Sequence, residues 1–166
     1  MTRAVPPRAA IISISSSRAT GSGGEDVSGE RLVAFARSLG LEIAGSDLIA
    51  DDLELIAARL RHWSDVERCQ LILTTGGTGL APSDVTPEAT RAVIEREVPG
   101  IPHAMRDAAR EHSRHWMLSR ALAGTRGASL IVNFPGSPAS IDQCGAAIAG
   151  ALGHALALLA GETHAH

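Results

Sequence analysis

The chain has no lysine and no tyrosine, and all 15 of its basic residues are arginine. Schiff-base chemistry, a lysine general base and the lysine of a Walker A phosphate loop are therefore excluded. Aromatic residues are confined to Phe35, Trp63, Trp116 and Phe134. A single-stranded nucleic-acid site built on stacked bases needs more ring surface than that. The two cysteines, Cys69 and Cys144, stand isolated in apolar surroundings. They form neither a disulfide framework nor a zinc spacing and read as packing residues. The histidines include no H-E-x-x-H, and His112 and His115 find no third ligand in the sequence. No apolar run reads as long enough to span a membrane, and the opening MTRAVPPRAA lacks the apolar core of a signal peptide. The formal net charge of -3 offers no field for nucleic acid or a membrane surface. The expectation is a soluble cytoplasmic protein forming one domain over 1–166, with flexible tails at 1–7 and 161–166.

What is present is an alternation of two apolar periods. Residues 9–15 (AAIISIS), 41–49 (LEIAGSDLI), 70–75 (QLILTT) and 129–134 (SLIVNF) read as strands, the shortest runs being apolar on both faces. Between them lie helical stripes. One follows Ser28 as N-cap, carries Leu32, Val33, Phe35, Ala36 and Leu39, and stops at Gly40. A second runs from Asp51 or Asp52 to about Ser64, with Leu53, Ile56, Ala57 and Leu60 inward. A third starts with Thr86 as N-cap and Pro87 at N1. A fourth covers 103–114. The last runs from Pro138 to about Leu159, with Ile141, Cys144, Ile148, Leu152, Ala155 and Leu159 on one face. Strands alternating with helices predict a three-layer α/β/α domain.

Residues 73–90 read LTTGGTGLAPSDVTPEAT. Ligands of such sheets bind beyond the carboxyl ends of the strands, and this stretch begins at one. Gly76, Gly77 and Gly79 can take positive φ and turn successive amides toward one point, an anion nest. Thr74, Thr75 and Thr78 add hydroxyls. The dinucleotide fingerprint does not fit, because Pro82 stands where its third glycine belongs. Taken alone, the cluster serves equally as a tight turn. A second loop, NFPGSPAS (133–140), also follows a buried strand, and its Pro135, Gly136, Ser137 and Pro138 lead into a helix N-terminus. Two such loops at one sheet edge suit a ligand phosphorylated at both ends. Asp84 and Asp51 either hold a magnesium ion or serve as a turn former and a helix cap. Arg120, after Ser119, either forks onto a phosphate or makes a surface ion pair.

Three blocks, LTTGGTGLAPSDVTPEAT, MLSRALAGTRGASLIVNFPGSP (117–138) and DLIADDLELI (47–56), resemble the molybdenum-cofactor biosynthesis family of MogA, MoaB and the G domain of gephyrin. DVSG (26–29) fits as well, bringing Ser28 and Gly29 into the substrate-binding set. The resemblance implies a mostly parallel mixed sheet, assembly as a trimer or hexamer, and contacts with other cofactor-synthesis proteins. It implies adenylylation of molybdopterin from Mg²⁺-ATP, with Asp84 and Asp51 as the functional carboxylates. The substrate-binding residues would be Thr75, Gly76, Gly77, Thr78, Gly79, Ser28, Gly29, Ser119, Arg120, Pro135, Gly136, Ser137 and Pro138. The alternative it leaves open is a non-catalytic pterin-binding scaffold of the MoaB type. One departure is visible. Relatives often carry S-D-x-R after the first strand, where this chain has Ser15, Ser16, Ser17 and Arg18.

Overall fold

Ile11 and Ile12 lie on opposite faces of the first strand, and that alternation sets the architecture. The computed structural model describes residues 6–162. In chain order the elements are β1 (Arg8–Ile14), α1 (Ser16–Ala19), α2 (Val27–Ser38), β2 (Glu42–Ile49), α3 (Leu53–Arg61), β3 (Leu71–Thr75), α4 (Thr86–Arg91), β4 (Arg96–Glu97), α5 (Gly100–Ala109), β5 (Ala123–Arg126), β6 (Ser129–Phe134) and α6 (Pro138–Leu159). A π-helical turn, His62–Val66, extends α3, and a 3₁₀ turn, Trp116–Leu118, precedes β5.

The six strands form one sheet in the order β2-β1-β3-β6-β5-β4. The first four are mutually parallel, β5 runs antiparallel to β6, and β4 runs antiparallel to β5. Ala9, Ile11, Leu71, Leu73, Leu130 and Val132 face one side, against Leu32 of α2, Met105 of α5 and Ile141, Ile148 and Leu152 of α6. Ala10, Ile12, Ile72 and Ile131 face the other, against Ile56 and Leu60 of α3 and Ala89 of α4. The expected three layers and mixed sheet are observed.

Several details differ from the sequence reading, among them the short helix α1. The cap of α2 is Asp26, whose carboxylate accepts from the Gly29 amide at 3.0 Å, and not Ser28. Val85 occupies the cap position of α4 without a side-chain bond, and the helix is only 6 residues long. The helix expected over 103–114 occupies Gly100–Ala109, because the 98–99 pair ends an extended segment and frees the chain to turn there. Strands β4 and β5 were not foreseen, since RE and AGTR carry no apolar alternation. They are recruited by pairing, as in the Val98 amide bonded to the Ala123 carbonyl at 2.9 Å.

Helix α6 has 22 residues, and by length and composition it reaches the range of a membrane-crossing helix. The expectation that no run was long enough is corrected on that point. Its Ala-rich composition raises the hydropathy, and Ile141, Cys144, Ile148 and Leu152 are spent on the core. Trp63 is buried under Gly45, and its indole N–H donates to Asp47 Oδ2 at 2.6 Å, which fixes it as a core anchor. Most of the two expected tails, including His164 and His166, lies outside the described residues.

Candidate active site

Strands β3 and β6 are parallel neighbours with Thr75 level with Phe134, so the two glycine loops leave the sheet side by side. The Gly76 amide donates to the Phe134 carbonyl at 3.3 Å, and the Thr75 hydroxyl donates to the Pro135 carbonyl at 2.8 Å. Gly76 and Gly77 have φ of 95° and 66°, two consecutive residues in the left-handed region. A side chain at Gly76 would put its Cβ 2.2 Å from the Ile14 carbonyl oxygen, and at Gly77 2.3 Å from Thr86 Oγ1. Both positions therefore require glycine for conformation and for space. Gly79 lies outside the left-handed region and is restricted only by Asp84 Oδ2, 2.8 Å from its virtual Cβ.

The buried end of α4 holds this loop from below. The Thr86 hydroxyl donates to the Gly76 carbonyl at 2.9 Å, and the Thr86 amide donates to the Gly77 carbonyl at 3.1 Å. From the side the loop is clasped by Arg120. Its Nε donates to the Gly79 carbonyl and one terminal nitrogen to the Asp84 carbonyl, both at 2.7 Å, while the other pairs with Glu88. The Arg120 amide adds a bond to the Thr78 carbonyl at 2.9 Å. The Arg120 hydrogen bond holds the Glu88 carboxyl below the usual carboxylate range. In this structure Arg120 is thus a clamp on the loop, with its guanidinium committed to protein partners.

Asp84 closes its own turn. Its amide donates to the Ala81 carbonyl at 2.9 Å, and its Oδ2 accepts from the Ala81 amide at 3.0 Å. Among the described residues, none donates to its Oδ1. Asp51 lies on the other flank of the loop, with Oδ1 3.3 Å from the point a Cβ on Gly77 would occupy. Its neighbour Asp52 caps α3 by accepting from the Leu55 amide at 2.8 Å, so the two consecutive acids have separate tasks.

The second loop is held through its carbonyls. The Ser28 hydroxyl donates to the Gly136 carbonyl at 2.7 Å, the task that replaces its expected role as a cap. Gly29 is close-packed beside it, since a Cβ there would lie 2.2 Å from Asp26 Oδ2 and 2.5 Å from Ser13 Oγ and would have to displace those side chains. Ser137 precedes α6 without a capping side-chain bond, and Pro138 occupies the first turn.

Between the loops lies an open cavity of about 410 Å³. Gly76, Gly77, Thr78, Gly79, Asp84, Ser119, Pro135, Gly136 and Ser137 line it, together with His115 and Leu118. A smaller cavity of about 120 Å³ adjoins it, sharing His115, Ser119 and Pro135 and walled by Met105, Trp116 and Cys144. Burial pushes the Cys144 thiol up to about 11, so it stays protonated and inert.

The structure thus gathers most of the expected residues around one space. Thr75, Ser28, Gly29, Arg120 and Pro138 do not line it; Thr75, Ser28 and Arg120 act as supports through their bonds to the loops, and Asp51 flanks the loop beside Gly77. Thr74 is wholly buried, its hydroxyl accepting from Asn133 Nδ2 at 3.0 Å, and is not available to a ligand. His115 and Leu118 were missed. In the sequence His115 reads only as a candidate metal ligand, and Leu118, although inside the 117–138 block, is an apolar residue that suggests packing and not a cavity wall.

A family model described as "Probable molybdopterin binding domain" matches residues 10–154. Over 115 residues the chain is 40% identical to molybdopterin adenylyltransferase of Helicobacter pylori strain J99, a match covering 69% of this chain and 65% of that protein. Over 113 residues it is 41% identical to the molybdenum cofactor synthesis protein cinnamon of Drosophila melanogaster, covering 68% of this chain and 19% of that protein. The chain therefore spans less than two thirds of either curated relative. Among solved structures, the molybdopterin biosynthesis enzyme MoaB of Thermus thermophilus superposes with a TM-score of 0.87 at 40% identity, covering 93% of this chain and 96% of that one. With the glycine loops, the supporting acids and the sheet order all in place, the chain belongs to the molybdenum-cofactor biosynthesis family of molybdopterin-binding domains.

Proposed function

We propose that this chain is a molybdopterin adenylyltransferase, moving AMP from ATP to the phosphate of molybdopterin with release of pyrophosphate. The observation that carries the reading is the cavity between the two glycine loops, where the paired positive-φ residues Gly76 and Gly77 adjoin the carboxylate of Asp84. The H. pylori relative named for this activity supports it.

The chemistry asks little of a side-chain nucleophile. A phosphate oxygen of the pterin attacks the α-phosphorus of ATP, a new P–O bond forms, and the bond to the β-phosphate bridge breaks. The attacking phosphate is already anionic at neutral pH. What the protein must supply is alignment and charge neutralisation. The amides from Gly77 to Gly79 are suited to a phosphate, the Gly76 amide being bonded to the Phe134 carbonyl, and the open start of α6 beside Ser137 is suited to a second one. The smaller cavity, walled by Trp116 and Met105, suits a flat ring. Its continuity with Pro135 supports placing the nucleotide toward the second loop and the pterin phosphate at the first.

The residues fit a magnesium ion brought in with the nucleotide. Magnesium usually takes one or two carboxylates and completes its shell with phosphate oxygens and water. Among the described residues, none donates to Oδ1 of Asp84 or of Asp51, and these two oxygens would hold the ion. Once bound, it would neutralise phosphate charge.

Asp84→Asn removes the charge while keeping the shape of the turn. Pyrophosphate release from ATP and molybdopterin should fall by about a hundredfold or more, on the order expected for a group that stabilises transition-state charge. Pterin binding should change less than about threefold, since the substitution leaves the amides of the loop in place. Normal turnover in this variant would defeat the assignment. The second reading is a non-catalytic pterin-binding protein of the MoaB type. It predicts pterin binding with no pyrophosphate release by the unaltered protein. We also infer, from the family likeness, a trimer or hexamer working in the cytoplasm with other cofactor-synthesis proteins. Light scattering of the purified chain tests the assembly.

A further inference from the structure

We infer that Ser16 is a positioning residue for Asp51: it holds one carboxylate oxygen so that the other stays turned to the glycine loop. The inference rests on the adenylyltransferase reading and names the residue that presents one of its two acids to the cation.

Ser16 is the first residue of α1, two positions past the end of β1. Its amide donates to Asp51 Oδ2 at 3.0 Å, and its hydroxyl donates to the same oxygen at 2.8 Å. The Asp51 amide returns a bond to Ser16 Oγ at 3.0 Å. These three bonds join residues 35 positions apart. They continue the β1–β2 pairing beyond the sheet, following the bond from the Ser15 amide to the Ile49 carbonyl at 2.9 Å. The hydroxyl is used in both directions, its proton on the carboxylate and a lone pair on the amide. Serine and threonine can do this, whereas an ionised aspartate has no proton to give.

The consequence lies at the other oxygen. An exposed carboxylate with a single tether samples several rotamers. Asp51 is held at Oδ2 from two directions, and Oδ1 is left facing the loop across from Gly77. Asp52 cannot take its place, because its carboxylate is occupied in capping α3. Preorganisation of this kind matters most for a ligand that must meet a metal ion and a phosphate together.

The test uses the full chain with Ser16→Ala, Ser16→Thr and Asp51→Asn. Manganese(II) serves as the probe, its binding followed by electron paramagnetic resonance in the presence of a non-hydrolysable ATP analogue. Ser16→Ala should weaken manganese binding about five- to tenfold, the range expected for losing a hydrogen bond to a charged group at an exposed site. KM for Mg-ATP should rise by a similar factor, with a smaller change in kcat. Ser16→Thr should restore binding to within about twofold, because its hydroxyl keeps both the donor and the acceptor. The thermal midpoint should move little in either variant. Ser16→Cys, which keeps the size but donates weakly, gives the same comparison if the alanine variant folds poorly. If Asp51→Asn loses manganese and Ser16→Ala does not, the inference fails while the reading of the acid stands. If Asp51→Asn keeps manganese, the cation role of Asp51 fails and the inference fails with it.

Discussion

The two loops that frame the cavity leave neighbouring strands, yet they are built in opposite ways. The first contains two consecutive positive-φ glycines, one of them pressed against the Ile14 carbonyl. The second contains Gly136, whose φ lies outside the left-handed region and whose nearest obstacle is the Gly76 Cα at an ordinary 3.5 Å. Thr86 and Arg120 bind the carbonyls of the first loop. Thr75 and Ser28 bind those of the second. Side chains take the carbonyls of the second loop, and side chains together with the Thr86 and Arg120 amides take those of the first. In the first loop the glycines also set the direction of the amides, whereas in the second the course of the chain is set by its neighbours. A glycine in a loop motif is thus obligatory only where φ and the surrounding backbone make it so.

Substitutions can break that contrast, and the largest effect is expected at Gly76. Gly76→Ala meets a backbone oxygen and an unfavourable φ together, so it should cost roughly 3 kcal/mol or more. Urea unfolding would measure it, and a loss below about 1 kcal/mol would show that the loop has another course available. Arg120→Ala comes next, at about 2 kcal/mol, because two loop carbonyls and Glu88 lose one shared charged donor. Arg120→Lys should recover little of this, since a single ammonium cannot span all three acceptors. Thr86→Val keeps the buried shape and leaves the Gly76 carbonyl without its hydroxyl, for about 1 kcal/mol by the same unfolding measurement. Gly136→Ala should stay within about 0.5 kcal/mol, as for a substitution that meets no strain. A cost there equal to that at Gly76 would erase the difference between the loops.

Much of the fold was legible because its signals are local. The continuous apolar run of SLIVNF and the stripe of α6 located β6 and the last helix with correct bounds. The caps were less legible. Asp26 and Ser28 are both good cap residues, and Ser28 was recruited instead by Gly136, 108 positions away. The site followed the same division. The loop glycines and Asp84 stood in a motif that could be read directly. For Arg120, ligand contact and ion pairing were both open, since its target depends on which carbonyls face it after folding. Asp51 and Asp52 are chemically alike, and only the tertiary structure separates the cap from the acid beside Gly77.

By itself, the sequence determined four of the six strands, most of the helices, the pair of glycines that take positive φ in the first loop, and which chemistries its missing lysines rule out. These follow from side-chain periodicity, backbone sterics and the functional groups present, all properties of residues close together in the chain. The tertiary structure decided that β3 and β6 lie side by side, that Arg120 closes on a loop 41 positions away, and that Ser16 grips Asp51. Those contacts exist because burying both faces of one sheet imposes a strand order, and the strand order determines which loops meet.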